Sequence, residues 1–284
     1  MKPIFVTGAQ GNVGRYVVEL LHYAGANTRI AVRALKEADR SGDGERVHFD
    51  FLDFTTYAPA VAGCRVIFLL RPPAISNTKA TLNRLLDVAQ AAGVTQAVFL
   101  SVDGAASNPL LPHHAVERHL KERWSSWTIL RPGFFAQNLA SAYHDDIRFD
   151  DRLFVPSGSG RVAFVDTRDV AEVAVQALLD PSAHARQAYT LTGPAAVSFT
   201  QVAGLLSHEL GRTIRYEPAS PLAYIAHLIR AGLPLTQTLI QTVLHVGLRF
   251  GQAEEIDDTL ERLLGHSPRT IAEYIHDHRS LWLK

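Results

Sequence analysis

Apolar residues along this chain follow two rhythms. Short, nearly continuous runs recur through its first half: "PIFVT", "TRIAVR", "RVHFDF", "RVIFLL", "AVFLSV" and "WTILRP". Runs of that length and β-branched content predict strands buried on both faces of a parallel sheet. Between them the spacing changes to three and four. "NVGRYVVELLHYAG" places Val13, Val17, Leu20 and Leu21 on one helical face, and "NTKATLNRLLDVAQAAG" does the same with Leu82, Leu85, Leu86 and Ala89. Each ends on a glycine suited to the residue just past a helix, Gly25 and Gly93. Strand and helix alternating in this way predict an α/β fold of the doubly wound, Rossmann type.

After residue 133 the pattern loosens. "DDRLFVPSGSGRVAFV" predicts a loop or hairpin, "DTRDVAEVAVQALLD" a helix with an Asp cap, and "AYTLTG" one more strand. Ser198 and Gln201 have the spacing of a capping box for the helix "SFTQVAGLLSHELG". From Pro221 onward every segment is helical in pattern, with short breaks. The expected organisation is a dinucleotide-binding domain over residues 1–195, with 133–165 forming part of a substrate pocket. A smaller, mostly helical substrate-binding lobe follows over 196–284. Internal repeats and low-complexity segments are not evident.

Composition narrows the function classes. Lys and Arg equal Asp and Glu at 28 each, so no global field favours nucleic acid or an anionic membrane. The single Cys64 excludes an internal disulfide framework and a cysteine-rich zinc site. The most apolar stretch, residues 221–248, is interrupted by His227, Arg230, Pro234 and Gln237, which argues against a membrane span. The N-terminus enters a strand-like run directly, without the apolar core of a signal peptide. A cytoplasmic protein is expected.

The first βα turn carries the clearest chemistry. "VTGAQGNVGR" spaces Gly8, Gly11 and Gly14 between a strand and an amphipathic helix. Glycines there allow a tight turn and close backbone approach, and the helix N-terminus faces a pyrophosphate. The plain alternative is a glycine-rich turn that serves packing alone. At the end of the second strand an acidic residue would accept the ribose 2′-hydroxyl of NAD. This chain has Arg33 and Lys36 there, and no carboxylate before Glu37. Cations suit a 2′-phosphate, so NADPH is expected over NADH, against the alternative of two solvated surface charges. Asp50 could accept from an adenine amino group with Phe51 beside the ring, or simply end the strand in an Asx turn.

Taken together these segments resemble the NmrA-like branch of the extended and atypical short-chain dehydrogenase/reductase family. The resemblance rests on "VTGAQGNVGR", the Arg ending strand two, Asp50 and Asp53 as D-x-x-D, "VFLS", "VERHL", "WTILRPGFFAQN", "VDTRDVAEVA", "AYTLTG" and "SFTQVAGLLSHELGR". It spans residues 3–216 in order, while the C-terminal helices match only in length and in "LLGHSPRTIAEYI". It implies that Gly8, Gln10, Gly11, Asn12 and Val13 cradle the pyrophosphate and that Arg33 meets the adenosine phosphate. It places Leu70 and Arg71 at the ribose, and Gly133, Phe134, Phe135 and Asn138 near the nicotinamide. The branch includes NADPH-dependent quinone and dye reductases and redox-sensing regulators.

One departure stands out. The wider family carries a Tyr-x-x-x-Lys pair; counted back from Glu117, Pro109 stands at the Tyr position and His113 at the Lys position. Ser101 matches the family's first active-site serine. The expected catalytic candidates are therefore His113, Ser101 and His114. Pro112 suits a helix start, so the two histidines should occupy a first turn, where the helix N-terminus favours neutral imidazole. Adjacent helical residues point about 100° apart, so at most one should face a cofactor. His113, four residues before Glu117, is the one expected. The plain alternative is two exposed first-turn residues.

Other chemistries are less well supported. "VFLSVDGA" lacks the strained elbow of a serine hydrolase, and no His/Asp group has convincing metal-ligand spacing. The apolar helices of 221–250 are core, lid or subunit interface, compatible with a monomer or a homodimer. The expectation is a reductase passing hydride from NADPH to a carbonyl, quinone or conjugated system of a bulky apolar aromatic or polyketide-like substrate. The alternative is a regulator that senses NAD(P) without turnover.

Overall fold

A computed structural model describes residues 2–35 and 44–284. The chain runs β1 (Ile4–Val6), α1 (Gly14–Tyr23), β2 (Thr28–Val32), β3 (Glu45–His48), α2 (Tyr57–Val61), β4 (Val66–Leu70), α3 (Arg84–Ala91), β5 (Gln96–Leu100), α4 (Pro112–Arg123) and β6 (Trp127–Pro132). It continues with α5 (His144–Arg148), β7 (Arg152–Val155), β8 (Arg161–Ala163), α6 (Thr167–Leu179), β9 (Gln187–Leu191), β10 (Ala196–Ser198), α7 (Phe199–Leu210) and β11 (Arg215–Pro218). Helices α8 (Pro221–Arg230), α9 (Leu235–Gly247), α10 (Thr259–Leu264) and α11 (Ile271–His278) complete it. Two compact units result: residues 1–132 with 167–191, and residues 133–166 with 192–284.

The first unit holds a seven-stranded parallel sheet in the order β3-β2-β1-β4-β5-β6-β9. Strand alternation sends Phe5, Ile67, Leu69, Ala97, Phe99 and Ile129 to one face, where α2, α3 and α4 cover them with Tyr57, Leu85, Leu86, Val116 and Leu120. Helix α6 lies against β4, β5 and β6 and also packs on α1. Strands buried on both faces explain why β4 and β5 are continuous apolar runs. Gly25 ends α1 at φ +66°, a left-handed position that costs glycine no Cβ clash. The strand order reverses between β1 and β4, the place where such sheets bind ligands beyond their carboxyl ends.

The second unit has its own core, built on Tyr143, Phe164, Phe199, Tyr274 and Trp282. Of the loop or hairpin expected over 150–165, the hairpin does not form. Strand β7 pairs in parallel with β11, and β8 pairs antiparallel with β10. The turn between them closes through Gly160 N–H donating to the Ser157 carbonyl at 3.0 Å and also rests on another segment. Arg249 Nε donates to the Pro156 carbonyl at 2.6 Å, and a Cβ on Gly160 would stand 2.1 Å from the Leu248 carbonyl oxygen. The Ser198–Gln201 capping box is present at α7, and a second, Thr270–Glu273, opens α11. Among the described residues no helix is long and apolar enough to cross a membrane.

Candidate functional site

The glycine loop is shaped by two close approaches. Thr7 Oγ1 donates to the Phe68 carbonyl at 3.2 Å and accepts from Leu70 N–H at 2.9 Å, tying the end of β1 to the end of β4. Gly8 then turns at φ +67° against Leu70, whose Cδ2 would lie 3.0 Å from an added Cβ. Gly14 packs tighter still, since a Cβ there would meet the Gly8 carbonyl oxygen at 2.1 Å. Gly11 N–H donates to that same carbonyl at 2.9 Å, while Gln10, Gly11 and Asn12 form an exposed tip. Val13 is buried, so its side chain anchors the loop and leaves only its backbone to a ligand. The first turn of α1 carries no acidic residue that would repel an anion.

Arg33 follows β2 and is solvent-exposed. Lys36 lies outside the described residues. Asp50 Oδ1 accepts from Leu52 N–H at 2.9 Å, so the Asx turn expected as the plainer reading is present. The Phe51 ring does not stand free beside a ligand; it is buried, edge-on to Phe49 with ring centres 4.9 Å apart.

Beyond β4, one guanidinium organises the chain. Arg71 Nη1 donates to the carbonyls of Pro72 (3.1 Å), Pro73 (3.2 Å) and Ile75 (2.6 Å), and its Nε donates to His113 Nε2 at 3.1 Å. A guanidinium only donates, so Nε2 carries a lone pair and the His113 proton sits on Nδ1. That Nδ1 is buried and has no hydrogen-bond partner among the described residues. Burial, with the Arg71 cation beside it, pushes the His113 ring down to about 4. The ring is neutral near pH 7, chiefly through desolvation.

Helix α4 begins at Pro112 and buries His113, Val116, Glu117 and Leu120. The other two catalytic candidates, Ser101 and His114, are both engaged. Ser101 Oγ donates to Glu117 Oε1 at 2.6 Å, and Arg131 clamps the same carboxylate through Nε (3.0 Å) and Nη2 (2.6 Å). Burial alone would raise Glu117, but hydrogen bonds from Arg131 and Ser101 hold it below the usual carboxylate range. His114 turns away from His113, its Nδ1 donating to the Ala105 carbonyl at 2.8 Å.

Gly133, Phe134, Phe135 and Asn138 all open the second unit. The Phe134 carbonyl accepts from Val165 N–H at 2.9 Å, and its ring meets Phe164 and His245 edge-on. Phe135 bridges to Val165, and the Asn138 carbonyl accepts from Tyr143 N–H at 3.1 Å. Next to Phe134 stands a pair that sequence reasoning missed. The Tyr143 hydroxyl donates to His245 Nε2, while His245 Nδ1 donates to the Gln241 carbonyl at 2.6 Å. Burial pushes His245 down to about 4 and Tyr143 far above its usual value. The two residues are 102 positions apart, so no spacing signal could have joined them. A cavity of about 490 Å³ also opens in this unit beside Phe149, Leu228 and the ion pair of His227 with Asp146 (2.9 Å). None of the residues expected near the nicotinamide lines it. No group of three metal-ligating side chains occurs among the described residues.

This geometry has known counterparts. The model of the NmrA-like family matches residues 1–275. An NAD(P)H azoreductase from Xenophilus azovorans is 31% identical over 281 residues, covering 97% of each chain. The crystal structure of an NADPH-dependent quinone oxidoreductase from Escherichia coli in complex with NADPH superposes with a TM-score of 0.87 at 24% identity, covering 96% of this chain and 99% of the other. NmrA, a negative transcriptional regulator crystallised with NAD, superposes with a TM-score of 0.76 at 17% identity, covering 98% and 95%. Both superpositions establish the doubly wound fold.

Proposed function

The chain belongs to the NmrA-like family, and within it we propose that the protein is an NAD(P)H-dependent reductase that takes NADPH in preference to NADH. The observation that carries this is the glycine loop. Its exposed tip, two glycines packed against Leu70 and Gly8, and a helix start free of acidic residues form a cradle shaped for a pyrophosphate. Arg33, exposed at the end of β2, suits the 2′-phosphate. The nicotinamide, when bound, supplies hydride chemistry that no side chain here could supply. The chain's own part is to hold it: the loop backbone would hold the pyrophosphate, and Arg71 fixes the turn after β4. The substrate class that best fits this reading is a bulky apolar acceptor such as a quinone or another electron-poor conjugated system.

Without a bound ligand the Ser101 hydroxyl donates to Glu117 and burial keeps the His113 ring neutral near pH 7. The second reading, a dinucleotide-sensing regulator without turnover, gains support from that same engagement of both candidates. Steady oxidation of NADPH in the presence of quinones, azo dyes and aromatic ketones separates the two: turnover with any of them establishes the reductase. Tight NADPH binding without turnover across the panel favours the sensor. For the cofactor, Arg33→Ala should weaken NADPH by about 1–3 kcal/mol, as for a charge-assisted hydrogen bond, and leave NADH unchanged. Equal loss for both cofactors in a titration removes the 2′-phosphate role.

A further inference from the structure

Helix α9 has its polarity inverted. The positions it buries are Thr238, Thr242 and His245. The positions it exposes include Leu235, Leu239, Ile240, Val243 and Leu244, with relative exposures from 46% to 71%. These five stand at i, i+4, i+5, i+8 and i+9, which places them in one continuous stripe. The inward polar groups are used within the unit. Thr242 Oγ1 donates to the Thr238 carbonyl at 2.8 Å, Gln241 Nε2 donates to the Tyr224 hydroxyl at 3.0 Å, and His245 is held by Tyr143 and the Gln241 carbonyl. The helix cannot be rolled over to hide its leucines without breaking that network.

We propose that this face of α9 is covered by a second copy of this chain, the two helices packing about a twofold axis. Charge is the first support. Between Glu217 and Glu254 the sequence holds no acidic residue and only two cations, Arg230 and Arg249. Arg249 is already committed to the carbonyls of Pro156 and Ala219. A twofold contact sets each patch against itself, so a charge-free patch meets no like-charge repulsion, and interface cores are depleted of charge. Area is the second support. The five side chains expose on the order of 500 Å², close to the apolar share of the ~800 Å² that each partner contributes to a standard interface. A lipid surface would ask for several flanking Lys or Arg residues, where this segment has Arg230. The inference is independent of whether the protein turns over a substrate.

Light scattering coupled to size exclusion on the full chain at tens of micromolar tests it. The wild type should elute at twice the 31.2 kDa chain mass. Leu239→Glu with Val243→Glu should elute as a monomer, its dimer dissociation constant raised at least a hundredfold, with melting temperature and NADPH affinity unchanged. A monomeric wild type overturns the proposal, as does a double variant that stays dimeric. A monomer that sediments with anionic phosphatidylserine vesicles overturns it in favour of a lipid surface. Should the double variant unfold, Val243→Cys decides: mild oxidation should join two copies covalently, because Cys64 is buried and cannot substitute. No crosslinked species overturns the proposal.

Discussion

Each unit of this protein buries one histidine whose ring is pushed to about 4, and the two differ in what surrounds them. His245 is closed: one ring nitrogen donates to the Gln241 carbonyl and the other accepts from Tyr143. His113 is half closed: Nε2 accepts from Arg71, and Nδ1 presents a buried proton to which nothing among the described residues responds. A buried donor without an acceptor costs about 1–3 kcal/mol. The comparison therefore separates a histidine whose two ring nitrogens are both used inside the fold from one that keeps a buried donor unused, although burial and titration alone make them look alike.

Acid should act on both together and produce the largest effect. An unfolded chain protonates each ring as pH falls through about 6.5, whereas the folded chain resists until about 4. The folded state thus binds fewer protons in that window, and stability is fully present above 6.5 and lost as pH falls from 6.5 toward 4. At about 1.4 kcal/mol per unit, each ring accounts for about 3 kcal/mol, an appreciable part of a total of roughly 5–15 kcal/mol. Urea titrations at pH 7.5, 6 and 5 should show this fall, with a shallower one for His245→Phe. Glu117, held low, acts only below the ordinary carboxylate range and does not share the window. Flat stability between pH 7.5 and 5 would show that neither ring is buried neutral.

Removing the closed histidine comes next. His245→Ala leaves a void beside Phe134 and a buried Tyr143 hydroxyl without its acceptor. The expected loss is about 2–4 kcal/mol in unfolding free energy. Tyr143→Phe with His245→Leu, which removes both polar partners, should recover part of it. A double variant no more stable than His245→Ala would mean the hydrogen bond is not what the pair contributes.

How far these differences were legible depends on distance along the chain. The strands, the glycine loop and the α4 face joining His113 to Glu117 are local patterns, and the structure repeats them. Gly14 was placed by spacing, and the 2.1 Å approach to Gly8 explains why spacing sufficed. Contacts between residues far apart were not legible: Arg71 to His113, Ser101 and Arg131 onto Glu117, and Tyr143 to His245. Over 150–165 a loop or a hairpin was open, and the hairpin is absent for the same reason, because the partners of β7 and β8 lie beyond residue 195. Helix α9 shows another limit. The sequence showed apolar helices over 221–250 but left open core, lid or interface, and here the apolar positions of α9 face outward.

For the open histidine the expected loss is functional. His113→Ala should lower NADPH affinity or turnover at least tenfold, about 1.4 kcal/mol, and cost less stability than His245→Ala. The ring is the acceptor that keeps Arg71 aimed along its own loop, so His113→Gln, with an amide oxygen in reach, should restore part of the loss. Equal losses for Ala and Gln would assign the effect to the Nδ1 proton and not to Arg71. Wild-type kinetics in both would make the Arg71 contact incidental.

The smallest effect sharpens the comparison most directly, because it sits one residue away. His114 shares the first turn of α4 with His113, yet it is half-buried and spends Nδ1 on the Ala105 carbonyl at 2.8 Å. Its replacement removes one partly exposed hydrogen bond, worth about 0.5–1.5 kcal/mol of stability. It removes no contact with Arg71, Ser101 or Glu117, all of which pair on the other side of the turn. His114→Ala should therefore bind NADPH within twofold of wild type and turn over at the same rate, with a slightly lower melting temperature. A loss matching that of His113→Ala would mean the first turn of α4 acts as a unit, and the distinction between an open and a closed histidine would not apply to it.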